Sequence, residues 1–147
     1  MLPTLGGRIQ TRIALLAVVG GLVTLIIGPF LPGTGSAPLS AVYQNLFLVL
    51  ATVIVVGIGW ECVYHFLMQW RWEKDWPTLF GLVTCINEGL VVWLLLKAGA
   101  VPGIQGTVAL STFLVDFLVI WIVVWLVANG PMRVPFIRWR FRGGRLV

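Results

Sequence analysis

Glu61, His65, Glu88 and Asp116 carry the proton- and metal-capable chemistry of a chain otherwise dominated by Leu, Val, Ile, Gly and Trp. Glu61 and His65 are four residues apart in the stretch WECVYHFLMQWRWEKDW, residues 60–76. On a helix that spacing puts them one turn apart on one face, where they can hydrogen-bond and each lowers the cost of burying the other. Histidine titrates near neutrality and acid chains in membranes carry protons, so the same groups also outline a proton path from His65 through Glu61 toward Glu88 and Asp116. A metal site is disfavoured, because one histidine with scattered carboxylates lacks the ligand count of a dedicated site. Cys62 and Cys85 have neither a CxxC nor a Cys/His metal spacing and read as small buried residues.

Enzyme templates fail on this sequence. There is no Walker or Rossmann glycine pattern, no GxSxG and no H-E-x-x-H, and a single histidine cannot hold a bis-histidine haem within one chain. The expectation is a non-enzymatic protein with no cofactor.

The elements that must position these groups follow from composition. The chain is 147 residues long, 59% hydrophobic and only 10% charged, against the roughly 25% charged residues of soluble domains. Four apolar segments, at about 13–31, 44–68, 76–96 and 107–128, each reach the roughly 20 residues a helix needs to cross a bilayer. The sequence therefore predicts an all-α integral membrane protein: one domain over 1–147, four transmembrane helices, short loops, and a basic tail over 129–147. The first segment is preceded by Arg8 and Arg12 but is longer than a signal-peptide core and has no A-x-A site after it, so it is expected to stay attached.

Charge sets the expected orientation. Arg8, Arg12, Arg71, Lys74 and the five tail arginines fall on one side of this four-span scheme, and only Lys97 on the other, which predicts cytoplasmic termini. Trp70, Trp72 and Trp76 then form an aromatic belt at the inner surface. The outer connections, GPFLPGTGSAPL and KAGAVPGIQG, are built from helix breakers. Residues 31–35 read LPGTG, a sortase-like pattern, but three further spans follow it, so it reads as a turn. Eight arginines against two lysines match a GC-rich coding genome, and the expected location is a bacterial plasma membrane.

Each span has one face of small or polar residues: Ala17, Gly21, Thr24 and Gly28; Gly57, Glu61 and His65; Gly81, Thr84, Cys85, Glu88 and Gly89; Ala109, Thr112 and Asp116. Such faces let helix backbones approach closely in lipid and should turn toward one another or toward a partner. Glu88 and Asp116 each lie about 18 Å in from the inner end, and Glu61 about 9 Å. Within the four segments no Lys or Arg accompanies these acids. Glu88 and Asp116 thus require protonation, hydrogen bonds to neighbours such as Asn87 or Thr112, or a cation from another chain.

The tail RVPFIRWRFRGGRLV, if extended, points Arg138, Arg140 and Arg142 to one face and Trp139 and Phe141 to the other, which suits contact with anionic lipid or a partner. Nucleic-acid binding is not expected of a basic aromatic peptide already beside an anionic bilayer. Together these features predict a structural or assembly subunit of a larger membrane complex, such as an envelope transport or secretion assembly, built with copies of itself or other membrane proteins. The alternative is a small oligomeric proton-coupled transporter or channel. The orientation is directly testable: a single cysteine at Ser36 should react with an impermeant thiol reagent in intact cells, and one at Lys74 should not. The reverse pattern overturns the assignment.

Overall fold

The computed structural model describes residues 4–72 and 76–147, with Arg140 through its backbone alone. The described residues form helices and turns with no strand, and four helices are long and apolar enough to cross a membrane. They are α1 (Leu5–Phe30), α2 (Leu39–Met68), α3 (Phe80–Lys97) and α4 (Leu110–Arg133, whose last residues form a 3₁₀ turn), and a short α5 (Ile137–Phe141) follows in the tail.

Local chemistry sets these boundaries. Thr4 caps α1, its hydroxyl oxygen accepting from the Gly7 N–H at 3.1 Å, so the helix begins eight residues before the expected span at Ile13 and carries Arg8 and Arg12 within it. Pro38, at φ −62° and ψ 141°, leads directly into α2, which therefore starts at Leu39, not 44. At Trp76–Leu79 the chain is still turning, with the Phe80 N–H on the Pro77 carbonyl at 2.8 Å, so α3 starts four residues later than the hydropathy. Gly106 at φ +68° and an extended Ala109 delay α4 to Leu110.

α1 is interrupted at Leu16–Gly20 by a π-helical turn. The wider turn rotates the inward face, so Leu15, Leu16, Gly20, Gly21, Thr24 and Gly28 are buried while Ala17, expected inside, is exposed. Ala109 is exposed as well, and so is Cys62, whereas Gly57, Thr84, Gly89 and Thr112 face inward as their spacing predicts.

Close packing runs α1 to α2, α2 to α3, α3 to α4 and α4 back to α1, so α1 and α3 oppose each other across the bundle. The core between them is Leu16, Val49, Leu50, Val53, Val92, Phe113, Phe117 and Ile120. Trp93, Phe113, Phe117 and Trp121 stack in succession with centroids 5.2–5.4 Å apart. Both chain ends and the α2–α3 connection share one end of the bundle, since the Thr4 N–H donates to the Gly143 carbonyl at 2.9 Å and Arg8 reaches Met68. LPGTG lies at the opposite end as a turn, with Gly33 at φ +80° and the Thr34 hydroxyl on the Leu31 carbonyl at 2.7 Å.

Gly89 sits under the Phe117 ring, and a Cβ there would lie 2.8 Å from Cε1, whereas a Cβ at Gly59 meets nothing within 4 Å. Gly89→Ala should cost about 1–3 kcal/mol in a detergent unfolding titration. Gly59→Ala should be neutral or slightly stabilising. Equal effects would contradict the α3–α4 packing described.

Candidate functional site

Among the described residues, two of the three buried acids, Glu61 and Glu88, meet their countercharge inside the chain. Arg8 and Arg12 are one turn apart on α1, and Glu61 projects from α2 and Glu88 from α3. Arg8 Nε–H donates to Glu61 Oε2 at 2.6 Å, and Arg12 Nε–H donates to Glu61 Oε1 at 3.0 Å. Both terminal nitrogens of Arg12 then grip Glu88, Nη1 on Oε2 and Nη2 on Oε1, the latter at 2.8 Å. The result is an alternating Arg–Glu–Arg–Glu chain of four groups with no net formal charge. Bidentate guanidinium–carboxylate pairing is among the strongest hydrogen-bonding arrangements available to side chains.

Three other features hold Arg12 in place. Its guanidinium carbon lies 5.6 Å from the centre of the Trp121 ring of α4. Gly57 of α2 makes the space, since a Cβ there would overlap the guanidinium. The Glu88 side chain is 1% exposed and that of Arg12 11%, so this exchange takes place almost out of contact with the surroundings. Every helix of the bundle therefore touches one side chain.

The absence of a countercharge expected from the sequence is thus corrected for Glu61 and Glu88, though no cation meets Asp116 among the described residues: Arg8 and Arg12 belong to α1 and not to a flanking segment. A hydropathy reading stops the span at the arginines because it sees charge but not compensation. The spacing 8, 12, 16, 20, 24 and 28, one residue per turn along the inward face of α1, is the signal that could have found them.

The expected Glu61–His65 hydrogen bond is not formed. Both Glu61 oxygens are taken by arginines, and His65, half-buried one turn away, has a buried Nδ1 with no hydrogen-bond partner. Asp116 is 1% exposed, with Oδ1 unpartnered, and lines a void of about 10 Å³ among Leu16, Leu50, Val53 and Ile120, where no hydrogen bond joins it to Glu88. Asn87 is on the outer side of α3, exposed and beside Tyr64. Thr112 donates to the Pro32 carbonyl instead of serving Asp116. Among the described residues no three His, Cys, Asp or Glu side chains gather as a metal site needs.

The tail departs from the expected extended alternation. Ile137–Phe141 is helical, so alternate residues no longer share a face. Trp139 is turned inward, and its indole N–H donates to Thr11 Oγ1 at 2.7 Å while the Thr11 hydroxyl donates to the Gly144 carbonyl at 2.8 Å. The Leu146 N–H reaches Gln10 Oε1 at 3.1 Å. Gly143 and Gly144, at φ +64° and +83°, let the tail backbone lie against Gly7, which has no room for a Cβ. Arg138, Phe141 and Arg142 stay exposed; the side chain of Arg140, like Lys74, lies outside the described residues. Of the tryptophan belt, Trp70 and Trp72 are exposed, while Trp76 donates to the Tyr64 carbonyl at 3.2 Å and stacks on Phe80.

At the opposite end a neutral polar latch, not foreseen from sequence, joins α2 to the α3–α4 connection. Asn45 exchanges two hydrogen bonds with the Gln105 backbone at 2.8 and 2.9 Å, and the Gln105 side-chain amide donates to Gln44 Oε1 at 2.7 Å. No protein-family model, curated protein or solved structure matches the chain.

The charge chain makes a sharp energetic prediction. Arg12→Gln leaves two buried carboxylates short of a cation and should destabilise by about 3–5 kcal/mol. Adding Glu88→Gln removes the orphaned charge and should recover a large part of that loss, a coupling read from a double-mutant cycle of unfolding free energies. Additive losses would show that Arg12 and Glu88 do not interact.

Proposed function

We propose that this chain is a non-enzymatic, four-span plasma-membrane protein with cytoplasmic termini, and that it works as an assembly subunit of a larger membrane complex. The observation that carries this reading is Asn87. It is the eighth of the 18 residues of α3, close to mid-span, and is exposed among Val83, Ile86, Leu90 and Leu94, each 57–67% exposed. A primary amide has two N–H donors and two acceptor lone pairs. A contact with Tyr64 leaves most of these unsatisfied. Hydrocarbon offers them nothing, so polar side chains on an outward face of a membrane helix call for another helix.

The buried charges support the same view. Arg12 is held between Glu61 and Glu88 in a chain of four groups with no net formal charge, so these two carboxylates are committed to ion pairing and not free to pass protons along. The charge cluster then serves to hold the bundle, and the outer face of α3 is left to act on other molecules. The competing reading, a small oligomeric proton-coupled transporter, draws on the unpartnered carboxyl of Asp116.

Two measurements separate the readings. Native co-purification with mass spectrometry should recover a defined membrane partner or a stable oligomer. Asn87→Leu should lower that recovery roughly three- to thirtyfold with insertion unchanged, in keeping with one interhelical hydrogen bond of about 0.6–2 kcal/mol. Unchanged recovery would count against α3 as the contact face. In liposomes holding a pH-sensitive dye, the purified chain should leave an imposed pH gradient intact. Dissipation that Asp116→Asn abolishes would favour the transporter.

A further inference from the structure

A cavity of about 270 Å³ lies at the basic end, bounded by α1, α4, the start of α3 and the tail. It follows α1 from Gly7 to Leu16, a rise of about 13 Å at 1.5 Å per residue. Its size is just below the roughly 300–1,000 Å³ of ligand pockets, and its surface is overwhelmingly apolar.

The wall offers ring faces and hydrocarbon. Trp121, Trp125 and Trp139 line it, and each indole N–H is already committed inside the protein, to the Gly81 carbonyl, the Thr78 carbonyl and Thr11 Oγ1 at 2.7–3.1 Å. Leu16, Val124 and Ala128 complete the apolar surface. Arg12 and Glu61 also reach the wall, but they neutralise each other within the charge chain. An occupant at this depth gains from burial and not from hydrogen bonds.

The end near Gly7 and Gly144 is different. Arg8 spends Nε on Glu61, but the partner of its Nη1 is the Met68 thioether at 3.9 Å, a weak acceptor. Arg145, exposed beside Gly144, spends only Nε, on Thr4 Oγ1 at 3.3 Å. The described part of the tail adds Arg138 and Arg142, both exposed, and no carboxylate side chain. An apolar cavity about 13 Å long, lined at its end near Gly7 and Gly144 by Arg8 and adjoined there by Arg145, the exposed neighbour of Gly144, has the polarity of an anionic lipid lying along the bundle. We propose that this cavity holds one acyl chain of an anionic phospholipid, with the lipid phosphate at Arg8 and Arg145. The occupant would complete the protein's own surface, whatever partner α3 meets.

The test uses the full chain in nanodiscs of equal phosphatidylglycerol and phosphatidylcholine, released and weighed by native mass spectrometry. One phosphatidylglycerol per chain should be retained about tenfold over phosphatidylcholine, roughly the selectivity of one charge-assisted contact. Ala128→Phe, which fills the channel, should abolish retention of both lipids. Arg145→Gln should keep a lipid bound but bring the selectivity below about threefold. Excess inorganic phosphate should displace nothing, because the chain supplies much of the affinity. Retention by Ala128→Phe equal to wild type, equal retention of the two lipids by wild type, or displacement by phosphate overturns the proposal. Should Ala128→Phe not fold, wild type decides: phosphatidylglycerol brominated on its acyl chain must quench tryptophan fluorescence more strongly than brominated phosphatidylcholine, and equal quenching overturns it.

Discussion

The Arg12 guanidinium, held by Glu61 on one side and Glu88 on the other, is the contact on which the rest of the bundle is arranged. It connects α1 to α2 and, across the bundle, to α3, and it lies over Trp121 of α4. A buried ion pair is weak evidence for net stability, since well-packed apolar side chains in the same volume often do as well. Its stronger effect is on specificity. Apolar helices in lipid gain little by choosing one register over another, whereas two carboxylates and a guanidinium are satisfied in a single alignment. Gly57 is the geometric condition for that alignment, because any side chain there would take the guanidinium's place.

The same constraint explains how α1 is built. Its Thr4 cap lets the helix start early enough to carry Arg8 and Arg12 inward, and the π-helical turn at Leu16–Gly20 then brings Gly20 and Gly21 to face the neighbouring helices. At the basic end, the tail closes over α1 through Thr4, Gln10, Thr11 and Trp139. At the other end, Gln44, Asn45 and Gln105 make a neutral latch. Charge thus organises the interior, while neutral hydrogen bonds close both ends.

The four helices were legible because each is an apolar run of sufficient length bounded by proline, glycine or polar residues. Their inward faces were largely legible too: Gly57, Glu61, Thr84, Glu88, Gly89, Thr112 and Asp116 are buried as their spacing indicates. What periodicity could not supply was pairing between helices. Arg12 and Glu88 are 76 positions apart, and nothing local in either segment names the other. The sequence pairs His65 with Glu61 because proximity along a helix is visible in it, while competition from a distant arginine is not. The tail failed for a related reason: residues 137–141 alternate in character, but the backbone they adopt is set by hydrogen bonds to α1 and by Gly143 and Gly144. Asn87 stood out as polar in both readings, and its outward direction needed the packing of the other helices to be seen.

The central claim is that Arg12 neutralises Glu61 and Glu88 inside the bundle and does not extend toward the membrane surface as a flanking charge would. Solid-state NMR of the chain in phospholipid bilayers, with ¹⁵N-labelled arginine side chains and ¹³C-labelled glutamate carboxylates, measures this contact through dipolar recoupling. The account predicts that the Arg12 guanidinium couples to the carboxyl carbons of both Glu61 and Glu88, and that Arg12→Gln removes these couplings while the Arg8–Glu61 contact remains. Coupling of the Arg12 guanidinium to lipid phosphorus, with none to Glu88, would contradict it.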